Sequence, residues 1–190
     1  MKILPSLMAT VLSLALLQAD AQTEVPKGFK KGAIVVADGS SFSGFIKDNI
    51  RSDAAVIFLT EGKKKSYDGA ELNSVEIDGI KFLCIAGDFF KILSEGDLNF
   101  LQKSSDARGK VFYNGNEPIV SNGTEGKPGD YFMYRTINKQ LKLITKKNFD
   151  EVIKTSFENN TAAIDKAKTV NGDLSQLKEA VDIYNKRNTN

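Results

Sequence analysis

The spacing of apolar residues changes once along this chain, near Asn148, and that change indicates the fold class. From Gly32 to Thr145, short apolar runs are separated by turn residues about every 8–12 positions, which is typical of antiparallel β-structure. Asp38-Gly39, between two such runs, is a strong hairpin signal. Val75 and Ile77 alternate with polar neighbours, which predicts a strand with one buried and one solvent-exposed face.

Beyond Asn148 the apolar residues follow helical spacing. Phe149, Val152, Ile153 and Phe157 share one helix face, and Asn148 with Glu151 three residues later predicts a capping pair. A second helix is predicted from Ala162 to Lys168, and a last one from Asp173, with Gln176 in the capping-box position and an apolar stripe along one face. We therefore predict an α+β fold: mainly an antiparallel β-sheet or partly open barrel, about residues 32–145, followed by two or three C-terminal helices.

The first residues have the pattern of an export signal. Lys2 precedes an apolar run from Ile3 to Leu17, and Ala19-Asp20-Ala21 stands before Gln22 as a small-x-small cleavage site does. A helix over the apolar run would be about 22 Å long, short of a bilayer core of about 30 Å. We expect residues 1–21 to be a cleaved signal peptide, with an uncleaved anchor as the alternative.

The remainder, residues 22–190, is expected to form a single α+β domain, β-rich over 32–145 and helical over 147–187. The only cysteine is Cys84, so the cleavage point lacks the cysteine of a lipoprotein. We therefore expect an exported protein, periplasmic or extracellular, without a stable membrane span once the signal is removed. Cys84 lies in an apolar run and is expected to be a buried core residue, with an intermolecular disulfide or a reactive thiol as the alternative.

Composition excludes several kinds of function. The sequence has no histidine, which excludes Ser-His-Asp and Cys-His catalysis as usually built and removes the commonest metal ligand. We expect no cofactor and no metal site. The formal charge is +2 and the pI about 8.5, without the concentrated basic face typical of nucleic-acid binding. Lys63-Lys64-Lys65 is expected to be a solvated hairpin turn, with an anion patch as the alternative.

Two further features could carry a function. Glu76 and Asp78 are two apart on a predicted strand, so they would share one face about 6.6–7 Å apart, inside the carboxylate separation of inverting glycosidases. Asp88 is a further candidate acid. The Gly- and Pro-rich segment Asn114–Asp130 is longer than most loops, and we expect a mobile hairpin tip, with a binding loop as the alternative.

The chain resembles uncharacterised secreted proteins of Bacteroidetes. The resemblance lies in the signal ending Ala21-Gln22, in the opening unit from Lys31-Gly32 through Asp38-Gly39 to Gly44-Phe45-Ile46, in the closing run YFMYRTINKQLKLITKKNFDEVI, and in the terminal helix with Tyr184-Asn185. It implies a bacterial envelope protein and supplies no catalytic residues. The opening hairpin also loosely resembles those of Sm-like and SH3-like barrels, which is an analogy of fold alone.

The sequence therefore favours a secreted envelope protein with a non-enzymatic binding or assembly role and no catalytic residues. Its partner would be another envelope protein or a glycan. The alternative is a carboxylate-based glycan hydrolase built on residues such as Glu76, Asp78 or Asp88.

Overall fold

The computed structural model describes residues 24–114 and 117–187. The predicted signal, with its cleavage residues Ala19, Ala21 and Gln22, lies outside the described residues. The strands are β1 Lys30–Val36, β2 Ser41–Asn49, β3 Ala55–Thr60, β4 Lys63–Asp68, β5 Leu72–Ile77, β6 Ile80–Ile85, β7 Asp88–Ser94, β8 Leu98–Lys103, β9 Val111–Asn114, β10 Glu117–Val120, β11 Tyr131–Arg135 and β12 Gln140–Leu143. The helices are α1 Ile50–Asp53, α2 Phe149–Phe157, α3 Thr161–Lys168 and α4 Leu177–Arg187, the last preceded by the short 3₁₀ turn Leu174–Gln176.

Ten of these strands form one antiparallel sheet in the order β12-β11-β8-β7-β6-β5-β1-β2-β3-β4, and β9 pairs with β10 separately. Neighbouring strands are joined by tight turns because Gly39, Gly62 and Gly79 supply the positive φ that such turns require. The sheet is not closed, and its edges are β4 and β12. The α+β prediction, with a mainly antiparallel sheet followed by C-terminal helices, is confirmed.

The first five strands curl strongly. In a flat sheet, β4 and β5 would be four strand spacings, about 19 Å, apart. Only residues 69–71 join them, and that connection spans at most about 14 Å. The concave side of the curl holds a core that packs around Ile34, Ile46, Val56 and Phe89.

The other half of the sheet is covered by the helices. Leu98, Phe100 and Met133 on the sheet pack against the apolar faces of α2, α3 and α4, of which Phe157 and Leu177 are fully buried. On the opposite face of these strands, Phe90, Leu101 and Phe132 form a third, smaller cluster. In the described part of the chain, no helix is long and apolar enough to cross a membrane.

Polar contacts fasten α4 to the turn between β7 and β8. Ser94 donates a hydrogen bond to Asp182 at 2.5 Å, and Lys178 donates to the other carboxylate oxygen at 2.6 Å. The Asn185 side chain bonds the backbone of Leu98. These bonds fix the last helix along its length and not only through its apolar stripe.

The predicted cap of α2 is wrong, whereas Asp173 caps the last helical segment as predicted. The cap of α3 was not predicted. The Asn148 side chain accepts from Thr145 and donates to the Leu143 carbonyl, so it faces the preceding loop and caps nothing. Asn160 accepts from the Ala163 amide and caps α3. Asp173 accepts from the Ser175 amide and from the Gln176 side chain at the start of the last helical segment.

Candidate functional site

A groove of about 510 Å³ lies at one rim of the curled sheet, below the β9–β10 hairpin. We call it the rim groove. Its lining comes from five separate stretches of chain: Ala37; Gly69, Ala70, Leu72 and Asn73; Cys84, Ala86 and Gly87; Phe112; and Ile119–Gly123. None of these side chains is charged, although 26% of the chain is Asp, Glu, Lys or Arg. The rim groove therefore suits an uncharged ligand.

Two glycines bring the walls of the rim groove together. Gly69, just after β4, forms an isolated bridge with Gly87, in the turn before β7. A β-carbon on Gly69 would overlap the Gly87 carbonyl, and one on Gly87 would lie 2.7 Å from the Phe112 ring. Gly87 also has a φ of +84°, which residues with a side chain rarely adopt. This close approach needs glycine at both positions.

A buried ion pair holds the loop that follows the hairpin. Asp88 and Lys103 start β7 and end β8; their side chains are fully buried, and the Lys103 Nζ lies 3.0 Å from Asp88 Oδ2. The same oxygen accepts from the amide and hydroxyl of Thr124 at 2.8 and 2.7 Å. Asp88 Oδ1 accepts from the Ala107 amide and the Ser105 hydroxyl. We call Asp88, Lys103, Ser105 and Thr124 the loop clamp.

Lys103 completes the loop clamp from the other side. Its Nζ donates to the carbonyls of Thr124 and Glu125 at 2.9 and 3.2 Å. The carboxylate and the ammonium group are thus each hydrogen-bonded to several further groups. A buried ion pair needs such bonds to offset the cost of removing both charges from water. The loop clamp positions residues 121–123, which line the rim groove, and so makes that wall preformed.

The segment Asn114–Asp130 is predicted to be a mobile hairpin tip; its described part does form a hairpin with β9, and its mobility stays a prediction. Glu117–Val120 forms β10 against β9, and residues after it are held by the loop clamp. Pro118 and the surrounding glycines hid this strand in the sequence. The structure instead places residues 119–123 along the rim groove, as the binding-loop alternative requires.

Cys84 packs against the core around Ile34, as a core residue does, but it is only half-buried because it also lines the rim groove. Burial raises the pKa of its thiol, and the charge of Asp68 raises it further. The thiol is therefore neutral at physiological pH and acts as an uncharged part of the groove wall. The apolar run around Cys84 predicts burial. It gives no sign of the turn at Ala86-Gly87, which leaves the end of β6 partly exposed at the groove.

The candidate acids do not come together. Glu76 is exposed on β5, whereas Asp78 lies beyond the strand in a turn with a φ of +53°, so the predicted shared strand face is wrong. Asp78 makes only a long, exposed ion pair with Lys30 at 3.9 Å. Asp88 is committed to the loop clamp. Among residues 24–114 and 117–187, no three Cys, Asp or Glu side chains converge as metal ligands would.

Comparisons of the chain with models of protein families, with curated proteins and with solved structures find no match. The resemblance to secreted Bacteroidetes proteins therefore stays a prediction. The rim groove and its loop clamp are described from this chain's own geometry.

Proposed function

We propose that this chain is an exported, non-enzymatic binding protein of the bacterial envelope and that the rim groove is its binding site. The observation that carries the proposal is a groove of about 510 Å³ without a charged lining residue, a volume in the range of ligand sites. The amino-terminal pattern supports export.

The geometry favours binding over the hydrolase alternative. A glycosidase needs two carboxyl groups facing one scissile bond, one of them with a raised pKa. Here, Glu76 and Asp78 lie on exposed surface, and Asp88 is surrounded by a cation and hydrogen-bond donors. None of the three lines the rim groove.

Export is tested by determining the amino terminus of the protein recovered from the periplasm or medium of expressing cells. We expect a chain that begins at Gln22. Recovery of the protein only in the cytoplasm, with residues 1–21 still attached, would contradict the proposed location.

Cys84 offers a direct test of the rim groove because it is the only cysteine in the sequence and lines the groove. Because the raised pKa makes the free thiol slow to react, labelling with excess N-ethylmaleimide is followed at mildly alkaline pH. We expect Nile red, a neutral apolar dye, to slow this labelling at least fivefold. The matched control carries Cys84→Ser with Ile137→Cys; Ile137 is 90% exposed and does not line the rim groove. Equal protection of both thiols, or protection of neither by the dye or by neutral peptides, would refute groove binding.

A further inference from the structure

Building on the proposed function, we infer that the natural occupant of the rim groove is an extended, uncharged segment of another protein. It adds as a third strand to the free edge of β10. Three observations support this inference: an unpaired strand edge, the lack of charge along the groove, and the openness of the groove.

The backbone of β10 has bonding groups that β9 does not use. In an antiparallel pair, successive residues alternate between facing the partner strand and facing away. The Ser121 amide donates to the Lys110 carbonyl at 2.8 Å, so Ser121 faces β9 and Val120 faces away. In the part of the chain that the structure describes, no strand pairs with this second edge of β10.

Pro118 lies on the same side of the ladder as Val120, since the two residues are two apart. It has no N–H and therefore offers only a carbonyl acceptor. The edge thus presents the Pro118 carbonyl and both backbone groups of Val120, enough for a short added strand.

The two kinds of edge in this protein differ in their side chains. The edge strand β4 carries Lys63, Lys64 and Lys65, all exposed, and lysines on an edge oppose pairing with another chain. The β9–β10 hairpin instead exposes Val111, Ile119 and Val120, at 49, 51 and 62%, and β10 carries one charged residue, Glu117, at its start. With an uncharged groove beside them, these side chains complement an apolar, uncharged strand, and a charged segment would lose hydration without gaining a partner.

The openness of the groove favours an extended segment over a small molecule. Half of its fourteen lining residues are exposed, among them Ala37, Ala86 and Asn122. Sites for small ligands usually enclose 70–90% or more of the ligand's surface. An extended chain needs less enclosure because its backbone hydrogen bonds to the edge supply affinity.

The test uses a capped, uncharged decapeptide of alternating Val and Thr with the full mature chain. We expect the peptide to slow N-ethylmaleimide labelling of Cys84 and to slow hydrogen exchange of the Val120 amide at least tenfold. The same peptide with Asp in place of each Val should do neither. Protection of Cys84 without protection of the Val120 amide would overturn strand addition.

Two variants separate backbone from side-chain effects. Val120→Pro removes the edge N–H at a position whose amide is outside the β9 ladder, and it should weaken peptide binding at least tenfold. Val120→Thr keeps that N–H and the branched shape and should bind within threefold of the parent. Equal binding by both variants would refute the inference.

Nile red distinguishes failure of this inference from failure of the proposed function. If the dye protects Cys84 and the peptide does not, the rim groove takes small molecules: strand addition is refuted and groove binding stands. If neither protects Cys84, both proposals fail.

Discussion

At the scale of single residues, the loop clamp shows how burial changes what an ion pair contributes to the stability of the fold. Lys103 and Asp88 are fully buried, whereas the Lys81–Glu95 pair has a similar length, 2.8 Å, with both side chains more than half exposed. Removing one partner of a buried pair leaves a charge without compensation. An exposed pair is hydrated either way and contributes little.

We therefore expect Lys103→Met to lower the free energy of unfolding by about 3–5 kcal/mol, measured by urea denaturation followed by circular dichroism. Lys81→Met is the matched control and should stay within about 1 kcal/mol of the parent. A loss in Lys103→Met as small as that of the control, within about 1 kcal/mol, would show that the loop clamp does not stabilise the fold.

Asp182 should make the free energy of unfolding fall as the pH is lowered into the acid range. Burial alone would raise its pKa, but hydrogen bonds from Lys178 and Ser94 outweigh burial and hold the pKa below its ordinary value. A carboxyl whose pKa is depressed by folding stabilises the protein above its unfolded pKa, about 4, and that contribution is lost as the pH falls through the folded pKa.

Ser94→Ala should reduce this acid sensitivity because it removes one of the bonds that lower the Asp182 pKa. The measurement is the urea midpoint at pH 7, 5 and 3, with Ser104→Ala as control, since the Ser104 hydroxyl bonds a backbone carbonyl and no carboxylate. If the urea midpoint of Ser94→Ala changes with pH as the parent's does, Ser94 does not lower the Asp182 pKa.

At the scale of elements, Lys63, Lys64 and Lys65 are a strand edge and not the predicted turn. They lie on β4, where Lys64 covers the Phe29 ring and Lys65 the Tyr67 ring. Their alternation around the strand places charge on both faces of the edge. This arrangement keeps the sheet from extending into a second copy.

Replacing all three by Thr should make the protein self-associate, because Thr keeps the strand while removing its charge. Size-exclusion chromatography with light scattering at several concentrations measures this directly. The double variant Lys146→Thr with Lys147→Thr removes exposed lysines outside any strand and should behave as the parent does. A monodisperse triple variant with the parent's mass would rule out edge protection.

Most elements could be predicted from sequence because local signals agree with the fold. Glycine and Asp or Asn turns bound nearly every strand of the large sheet, and Leu177, Val181 and Tyr184 follow the helical period. β10 was missed because Pro118 and nearby glycines contradict a strand locally. β10 forms nevertheless, because Pro118 faces away from β9 and the β9–β10 ladder needs no N–H from it.

The rim groove could not be predicted, for a different reason. Its residues run from Ala37 to Gly123 and meet only because the sheet curls and Gly69 approaches Gly87. Asp88 and Lys103 each resemble an ordinary charge at a strand end, and only the tertiary structure pairs them. Non-local contacts of this kind have no periodicity from which to infer them.

At the scale of the whole molecule, the helices are part of the fold and not an appendage. Leu98, Phe100 and Met133 are at most 2% exposed, and the helices provide their cover. A chain ending at Thr145 should therefore lose cooperative unfolding and bind a hydrophobic dye.

The contrasting deletion replaces residues 111–120 by Asn-Gly. The Ser121 amide already bonds the Lys110 carbonyl, so a two-residue turn can join these positions, and no hairpin residue whose side chain the structure describes (111–112 and 117–120) belongs to a core cluster. This variant should retain a cooperative urea transition, monitored by circular dichroism. Loss of cooperative unfolding on deletion of the hairpin would show that the hairpin belongs to the core. Cooperative unfolding of the chain that ends at Thr145 would show that the helices do not.

The strand order also bears on how the chain reaches this structure. Seven of the nine ladders in the large sheet join strands adjacent in sequence, and the exceptions are β1–β5 and β8–β11. Local hairpins close at little entropic cost, whereas distant pairings must first close a long loop. The meanders β1–β4 and β5–β8 can therefore form as separate units. Their joining along the β1–β5 seam is the step expected to limit the rate of folding, and it is also the step that creates the rim groove.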